Sequence, residues 1–211
     1  MQRADQPIIL TGYAALNKLL GRQVYSSHMQ LGGPRVMGHN GVSHHIVADD
    51  LQGVTCILQW LSFMPPLVGA QPLNLPPTDP PARAVAYTAA PGEKLEARAA
   101  IAGASLRGDA PQQSSPPTAH REEGWVGGLF DHGSWVECQA GWARTVITGR
   151  ARLGGVPVGV IAVETQTVML HCPADPGMPD SAERVVPQVH QGVVDQWSWK
   201  IELINGVGKL S

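Results

Sequence analysis

Charge is scarce in this sequence. Asp, Glu, Lys and Arg make up 15% of its 211 residues, against about a quarter in an average soluble domain. The net charge is −2 with no block of Lys or Arg, which argues against a nucleic-acid partner. Long apolar runs are also missing. The stretch Val158–Val163 is broken by Gly159, and no segment reaches the roughly 20 residues a membrane-spanning helix needs, so no membrane partner is expected. The opening "MQRADQPIIL" carries one Arg and no apolar core, unlike a signal peptide. Cysteine is limited to Cys56, Cys138 and Cys172. An odd number, widely spaced, fits neither a zinc site nor a disulfide framework, and predicts free, mostly buried thiols in a reducing compartment.

What is present is a 43% hydrophobic fraction, enough for a core, together with 24 Gly and 18 Pro, which predict much loop. "PIILTG" (Pro7–Gly12) reads as a short buried strand. "YAALNKLLG" follows as a helix with Gly21 as its C-cap. "VSHHIVADD" suggests a strand with alternating faces. "DDLQGVTCILQWLSFMPP" is the clearest helix: Asp49 or Asp50 caps it, Leu51, Val54, Ile57, Leu58 and Leu61 fall on one face, and Pro65–Pro66 end it. Eight prolines between Pro65 and Pro91 mark a linker or extended wrap. The polar stretch 107–124 lacks the apolar residues to offset its ordering entropy and predicts a disordered insert. Ser134 and Glu137 form a capping-box pattern for a short helix ending near Trp142. Thr145–Leu153 and Val158–Thr165 read as strands joined at Gly154–Gly155, a hairpin signal, and Asp180–Glu183 suggests one more helix start.

Motif searches exclude more than they offer. His44 and His45 are adjacent, so on a strand they point to opposite faces and cannot chelate one ion; no metal site is expected. "GVGKL" near the end lacks the first Gly and the Ser/Thr of a phosphate-binding loop, since Leu203 and Leu210 stand there. "GASLRG" has Arg107 where a nucleophile elbow needs its second Gly. No carboxylate pair or Ser/His/Asp set stands out, and no catalytic residue is assigned.

Two long stretches carry a resemblance. "QPIILTGYAALNKLLGRQVYSSHMQLGGPRVMGHNGVSHHIVADDLQGV" (6–54) and "GWARTVITGRARLGGVPVGVIAVETQTVMLHCPADPGMPDSAERVVPQ" (141–188), with "DPPARAVAY" and "GGLFDHGSW" in order between them, closely resemble the carboxyltransferase region of eukaryotic multidomain acetyl-CoA carboxylases, plant or algal forms above all. The resemblance implies an α/β, crotonase-like (ClpP/crotonase) fold of ββα units, a partial N-lobe followed by a partial C-lobe. It implies four parts: 1–66 ending the N-lobe, 67–92 as a Pro-rich inter-lobe linker, 93–188 starting the C-lobe with the insert 107–124, and 189–211 as an atypical tail.

The implied reaction moves carboxylate from carboxybiotin to acetyl-CoA, giving malonyl-CoA for fatty acid biosynthesis. Biotin enters as a substrate on a biotin carboxyl carrier domain and is not attached to this chain. Partners are acetyl-CoA, that carrier domain and a carboxyltransferase homodimer, in the cytoplasm or, as the alternative, the plastid. The family's "NSGARIG" and "NWRGFSGG" segments, which supply arginines and oxyanion-stabilising glycines, are absent from these 211 residues, and "VHQGVVDQWSWKIELINGVGKLS" replaces the family's continuation after Gln188. The expectation is therefore a truncated fragment, inactive by itself. The alternative is a non-catalytic interaction module that pairs with intact carboxyltransferase lobes. "GRARLGGVPVGVIAVET" (149–165) resembles the first C-lobe hairpin, and its end, Val163, Glu164 and Thr165, is the candidate pocket edge. Arg150 and Arg152 share a face two residues apart: a solvated or interface face is the ordinary reading, contact with a CoA phosphate the functional one.

Overall fold

The computed structural model describes residues 1–89, 91, 94–105, 125–178 and 180–188. The polar insert, Arg107, the tail after Gln188 and its "GVGKL" lie outside the described residues. The chain begins with β1 (Gln2–Arg3), followed by α1 (Tyr13–Leu20), the single-turn helices α2 (Met29–Gly32) and α3 (Pro34–Met37), β2 (Ile46–Val47) and α4 (Asp50–Leu61). β1 pairs with β2 in parallel. Past the Pro-rich stretch come α5 (Ala97–Ala102), the short pair β3 (Ala104–Ser105) and β4 (Trp125–Val126), then β5 (Val136–Cys138), β6 (Val146–Leu153), β7 (Val156–Val163), β8 (Val168–Cys172) and β9 (Arg184–Gln188). β5, β6 and β7 form one antiparallel sheet, and β8 pairs antiparallel with β9.

The two main helices end where their sequences dictate. Gly21 adopts the left-handed conformation that closes α1. At α4 the Asp49 carboxylate accepts from the Gln52 backbone N–H, and the Gln52 side chain accepts in turn from Ala48 N–H. The hairpin turn is built around Gly154 and Gly155, both at positive φ (59° and 86°), as a two-residue turn matching the strand twist requires. Their N–H groups both donate to the buried carboxylate of Asp131, at 2.8 and 2.7 Å.

The core lies on one face of this hairpin. Ile147, Ala151 and Val160 pack with Ala97 and Ile101 of α5 and with Phe130. Inward alternation puts Thr148, Arg150 and Arg152 on the other face, toward the end of α4. There Arg152 donates to the carbonyl oxygens of Ser62 (2.6 Å), Leu73 (3.0 Å) and Gly155 (2.9 Å). The Pro-rich stretch carries no helix or strand from Leu67 to Ala89. It is tied to the C-terminal part: Arg83 donates to the carbonyls of Gly128 and Phe130, and Asp79 accepts from Arg83 and from His132 N–H.

Several expectations are corrected. Pro7–Gly12 is not a strand. Ile8 bonds Gly32 O through its N–H, Leu10 is fully exposed, and no described strand lies beside it; the parallel pair forms earlier, at Gln2–Arg3. The strand expected at 42–50 shrinks to Ile46–Val47. No helix forms at 134–142, because tertiary partners take both capping residues. The Ser134 hydroxyl accepts from Arg152 N–H and Glu137 pairs with Arg98, while Gln139 and Ala143 take positive φ values that no helix tolerates. Asp180–Glu183 starts no helix among the described residues; it leads into β9, held by pairing with β8. The returning strand starts two residues earlier than expected, at Val156. The three thiols are half-buried rather than buried. Arg152 is buried, not solvated, because three backbone carbonyls satisfy its guanidinium.

Candidate functional site

α4 is oriented against the usual rule. Its apolar residues Leu51, Val54, Ile57, Leu58 and Leu61 are 48 to 77% exposed. Its polar side turns inward: Gln52, Thr55, Cys56 and Gln59 line a cavity of about 240 Å³ between α4, the His44–Val47 segment and β5. A second cavity of about 170 Å³ shares His44 and His45 with the first and is bounded by Trp60, Cys138, Gly149 and Arg150. The N-terminal and C-terminal parts of the chain therefore meet across a polar crevice. Around it they are fastened by backbone and ring contacts. Gln139 N–H donates to His44 O at 2.9 Å and its side-chain amide donates to Gly41 O at 3.1 Å. The Trp142 ring lies where a Cβ on Gly41 would stand, and Gly41 has φ of +82°, so only glycine fits there.

The groups facing the crevice are mostly uncharged. Burial, with smaller pushes from His44 and the N-terminal amine, lowers the His45 imidazole to about 4. Burial lowers His44 as well, so both rings are neutral at pH 7. Burial raises the Cys56 thiol, which keeps it protonated and unreactive. Glu137 borders the first cavity, but its carboxylate is held by Arg98 in a fork at 2.7 to 3.2 Å. Arg150 lies with its guanidinium 4.5 Å from the centre of the Trp60 ring.

The candidate pocket edge sits elsewhere. Val163 ends β7. Glu164 is buried and pairs with Arg98 at 3.3 Å, so one guanidinium from α5 serves two buried carboxylates. The Thr165 hydroxyl donates to Leu95 O at 2.8 Å. Neither of the two cavities is lined by these three residues. The Arg98–Glu137–Glu164 cluster and the crevice were not read from the sequence; their members lie dozens of positions apart, and no local spacing marks them. No cluster of three metal-ligating side chains occurs among the described residues, and no helix there is long and apolar enough to cross a membrane.

Comparison with known proteins places this architecture. The chain is 59% identical over 191 residues to an acetyl-CoA carboxylase 1 of Oryza sativa subsp. japonica, covering 90% of the chain and 8% of that protein. It is 57% identical, with the same coverage, to acetyl-CoA carboxylase 1 of Arabidopsis thaliana, and 44% identical to the acetyl-CoA carboxylase of Saccharomyces cerevisiae. The chain thus spans about 8% of the length of the curated relatives it matches. Among solved structures, the transcarboxylase 12S hexamer core with methylmalonyl-coenzyme A and methylmalonic acid bound superposes with a TM-score of 0.56 at 18% identity, over 77% of this chain and 27% of that one. The fold is accordingly α/β and crotonase-like. The carboxyl transferase domain family matches residues 1–198, and with that match and those identities the chain belongs to the carboxyl transferase domain family.

Proposed function

We propose that the chain is part of the carboxyltransferase of an acetyl-CoA carboxylase, which moves carboxylate from carboxybiotin to acetyl-CoA and gives malonyl-CoA. The observation that carries this reading is the 59% identity that runs collinearly through 191 residues. In it, residues 1–66 close the N-lobe, 67–92 link the lobes, 93–188 open the C-lobe around the insert 107–124, and 189–211 are an atypical tail. Acetyl-CoA, a biotin carboxyl carrier domain and a second carboxyltransferase subunit are its partners in the parent enzyme. The cytoplasm is its compartment, or the plastid for a plastid form; the unpaired thiols support a reducing one.

Neither of the two cavities among the described residues encloses CoA. Cavities of about 240 and 170 Å³ fall below the range of roughly 300 to 1,000 Å³ that drug-sized ligands occupy, and CoA is a ligand of at least that size. No step is assigned to a residue of this chain. Its contribution is to position: Arg98 fixes the end of β7 through Glu164, and Val163, Glu164 and Thr165 then border a pocket completed by other parts of the enzyme.

The test is a chimera in which these residues replace the matching 191 of the rice enzyme, assayed by malonyl-CoA decarboxylation with free biotin as acceptor. Turnover within tenfold of the parent is expected, and turnover no better than a protein-free blank overturns the reading. The 211-residue chain alone is expected to give none, since losing even one oxyanion donor costs about a hundred- to a thousandfold.

A second reading is favoured by the outward apolar face of α4: a module that pairs with intact carboxyltransferase lobes, as exposed apolar patches of this kind do. Co-purification with the intact enzyme supports it. A monodisperse monomer that ignores the enzyme removes it.

A further inference from the structure

The arginines of this chain differ in how they are satisfied. Arg98 serves two carboxylates, Arg83 a carboxylate and three carbonyls, and Arg152 three carbonyls. Arg150 has no carboxylate partner among the described residues. It rests on the Trp60 ring at 4.5 Å, and its one polar contact among the described residues is to the Met64 thioether sulfur at 2.8 Å, a weak acceptor. Its position is fixed from both sides by strand pairing, to Val136 on β5 and to Gly159 on β7. It borders the smaller cavity, where no Asp or Glu is among the lining residues. The same wall holds His44 and His45, and neither imidazole has a hydrogen-bond partner among the described residues. Neither histidine lies within β2, which starts at Ile46, so both border the crevice, which therefore offers the fixed positive charge of Arg150 beside two neutral imidazoles. Such a site repels cations and matches an oxyanion, which takes planar, forked donation from a guanidinium. Contact with the indole holds the guanidinium beside the cavity that both residues line.

We propose that the crevice between α4 and β5 is a binding site for a small oxyanion, a carboxylate or a phosphate group, anchored by Arg150 on Trp60 and bordered by His44 and His45. The volume of about 170 Å³ admits a group of that size and excludes a nucleotide. The site stands apart from the carboxyl-transfer reading: it requires only the groups that line the crevice.

The experiment is calorimetric titration of the full 211-residue chain with malonate, with inorganic phosphate and with uncharged malonamide. One equivalent of malonate or phosphate binds saturably and malonamide does not; the tighter of the two anions identifies whether the site reads carboxylate or phosphate. Arg150→Gln weakens binding about tenfold or more, Arg150→Lys weakens it less, and Arg144→Gln, which removes a guanidinium that donates to Met169 O and lines neither cavity, leaves it unchanged. A second measurement needs no variant. Phenylglyoxal labels arginines, and mass spectrometry reads the rate at each one; saturating malonate or phosphate slows labelling at Arg150 at least threefold and leaves Arg144 unaffected. Absence of saturable anion binding, equal binding of malonamide, or equal slowing at Arg150 and Arg144 overturns the proposal.

Discussion

The hairpin β6–β7 and the helix α4 hold much the same proportion of apolar side chains and use them in opposite ways. In the hairpin one face is sealed by α5 and Phe130, the other is closed by arginines whose guanidiniums meet carbonyls and an indole, and the turn is gripped by Asp131. In α4 the polar side faces the molecule and the apolar side faces out. A helix packs its apolar stripe against whatever completes its core. The hairpin's core is complete within this chain, whereas that of α4 is not, which fits a chain spanning about 8% of its relatives' length.

If the hairpin is a finished unit, its buried groups should be costly to remove. The largest effect is expected at Arg98→Met. Its guanidinium holds Glu137 and Glu164, whose side chains are nearly inaccessible, and removing it strands two carboxylates. A loss of about 3–5 kcal/mol is expected, read as a lower urea midpoint. Ile147→Ala deletes a fully buried side chain from the same core and should cost about 2–5 kcal/mol. A cost under 1 kcal/mol at either position means the hairpin is as unfinished as α4. Gly155→Ala comes next. Its φ of +86° disfavours any side chain, and a Cβ there would meet the Leu75 carbonyl oxygen. The left-handed backbone alone costs about 1–2 kcal/mol, and the close contact adds to it. Differential scanning calorimetry should show a lower Tm.

The seam between the two regions should respond to acid. His45 is held at about 4, mainly by burial, below the ordinary histidine value near 6.5. Between those values the unfolded chain binds a proton that the folded chain refuses, so stability falls as pH drops from about 6.5 to about 4 and is unaffected by His45 above that window. His45→Gln should flatten this part of the stability profile, measured by urea denaturation at several pH values. An unchanged slope assigns the acid sensitivity to other groups.

Local signals carried the sequence reading as far as they reach. Gly21, Asp49 and the Gly154–Gly155 pair act on their immediate neighbours, and each ends or turns the element it was expected to. Ser134 and Glu137 failed because the same side chains that make a capping box also make long-range bonds, and Arg152 and Arg98 were available to take them. Ile8–Leu10 failed because a strand requires a partner, which local sequence does not supply. Periodicity identified the apolar face of α4 correctly. It does not say whether that face turns toward the rest of the same chain, and here it turns away. The crevice was invisible for a related reason: it is assembled from the polar sides of elements recognised by their apolar ones.

The smallest expected effect is the one that bears most directly on α4. Leu58 lies mid-face and is 62% exposed. Replacing it with Lys in the 211-residue chain removes no packing and keeps a good helix former. Stability should change by no more than about 0.5 kcal/mol, while solubility rises because an apolar patch is interrupted. The same substitution in the rice chimera meets a different environment. If the face is an interior surface of the complete enzyme, a lysine there buries an unpaired charge, and decarboxylation activity or subunit assembly should fall by tenfold or more. A loss above about 2 kcal/mol in the isolated chain would mean that α4 packs its apolar side within these residues. An unaffected chimera would mean that the face is an ordinary surface in the whole enzyme, and the contrast between hairpin and helix would then be one of exposure alone.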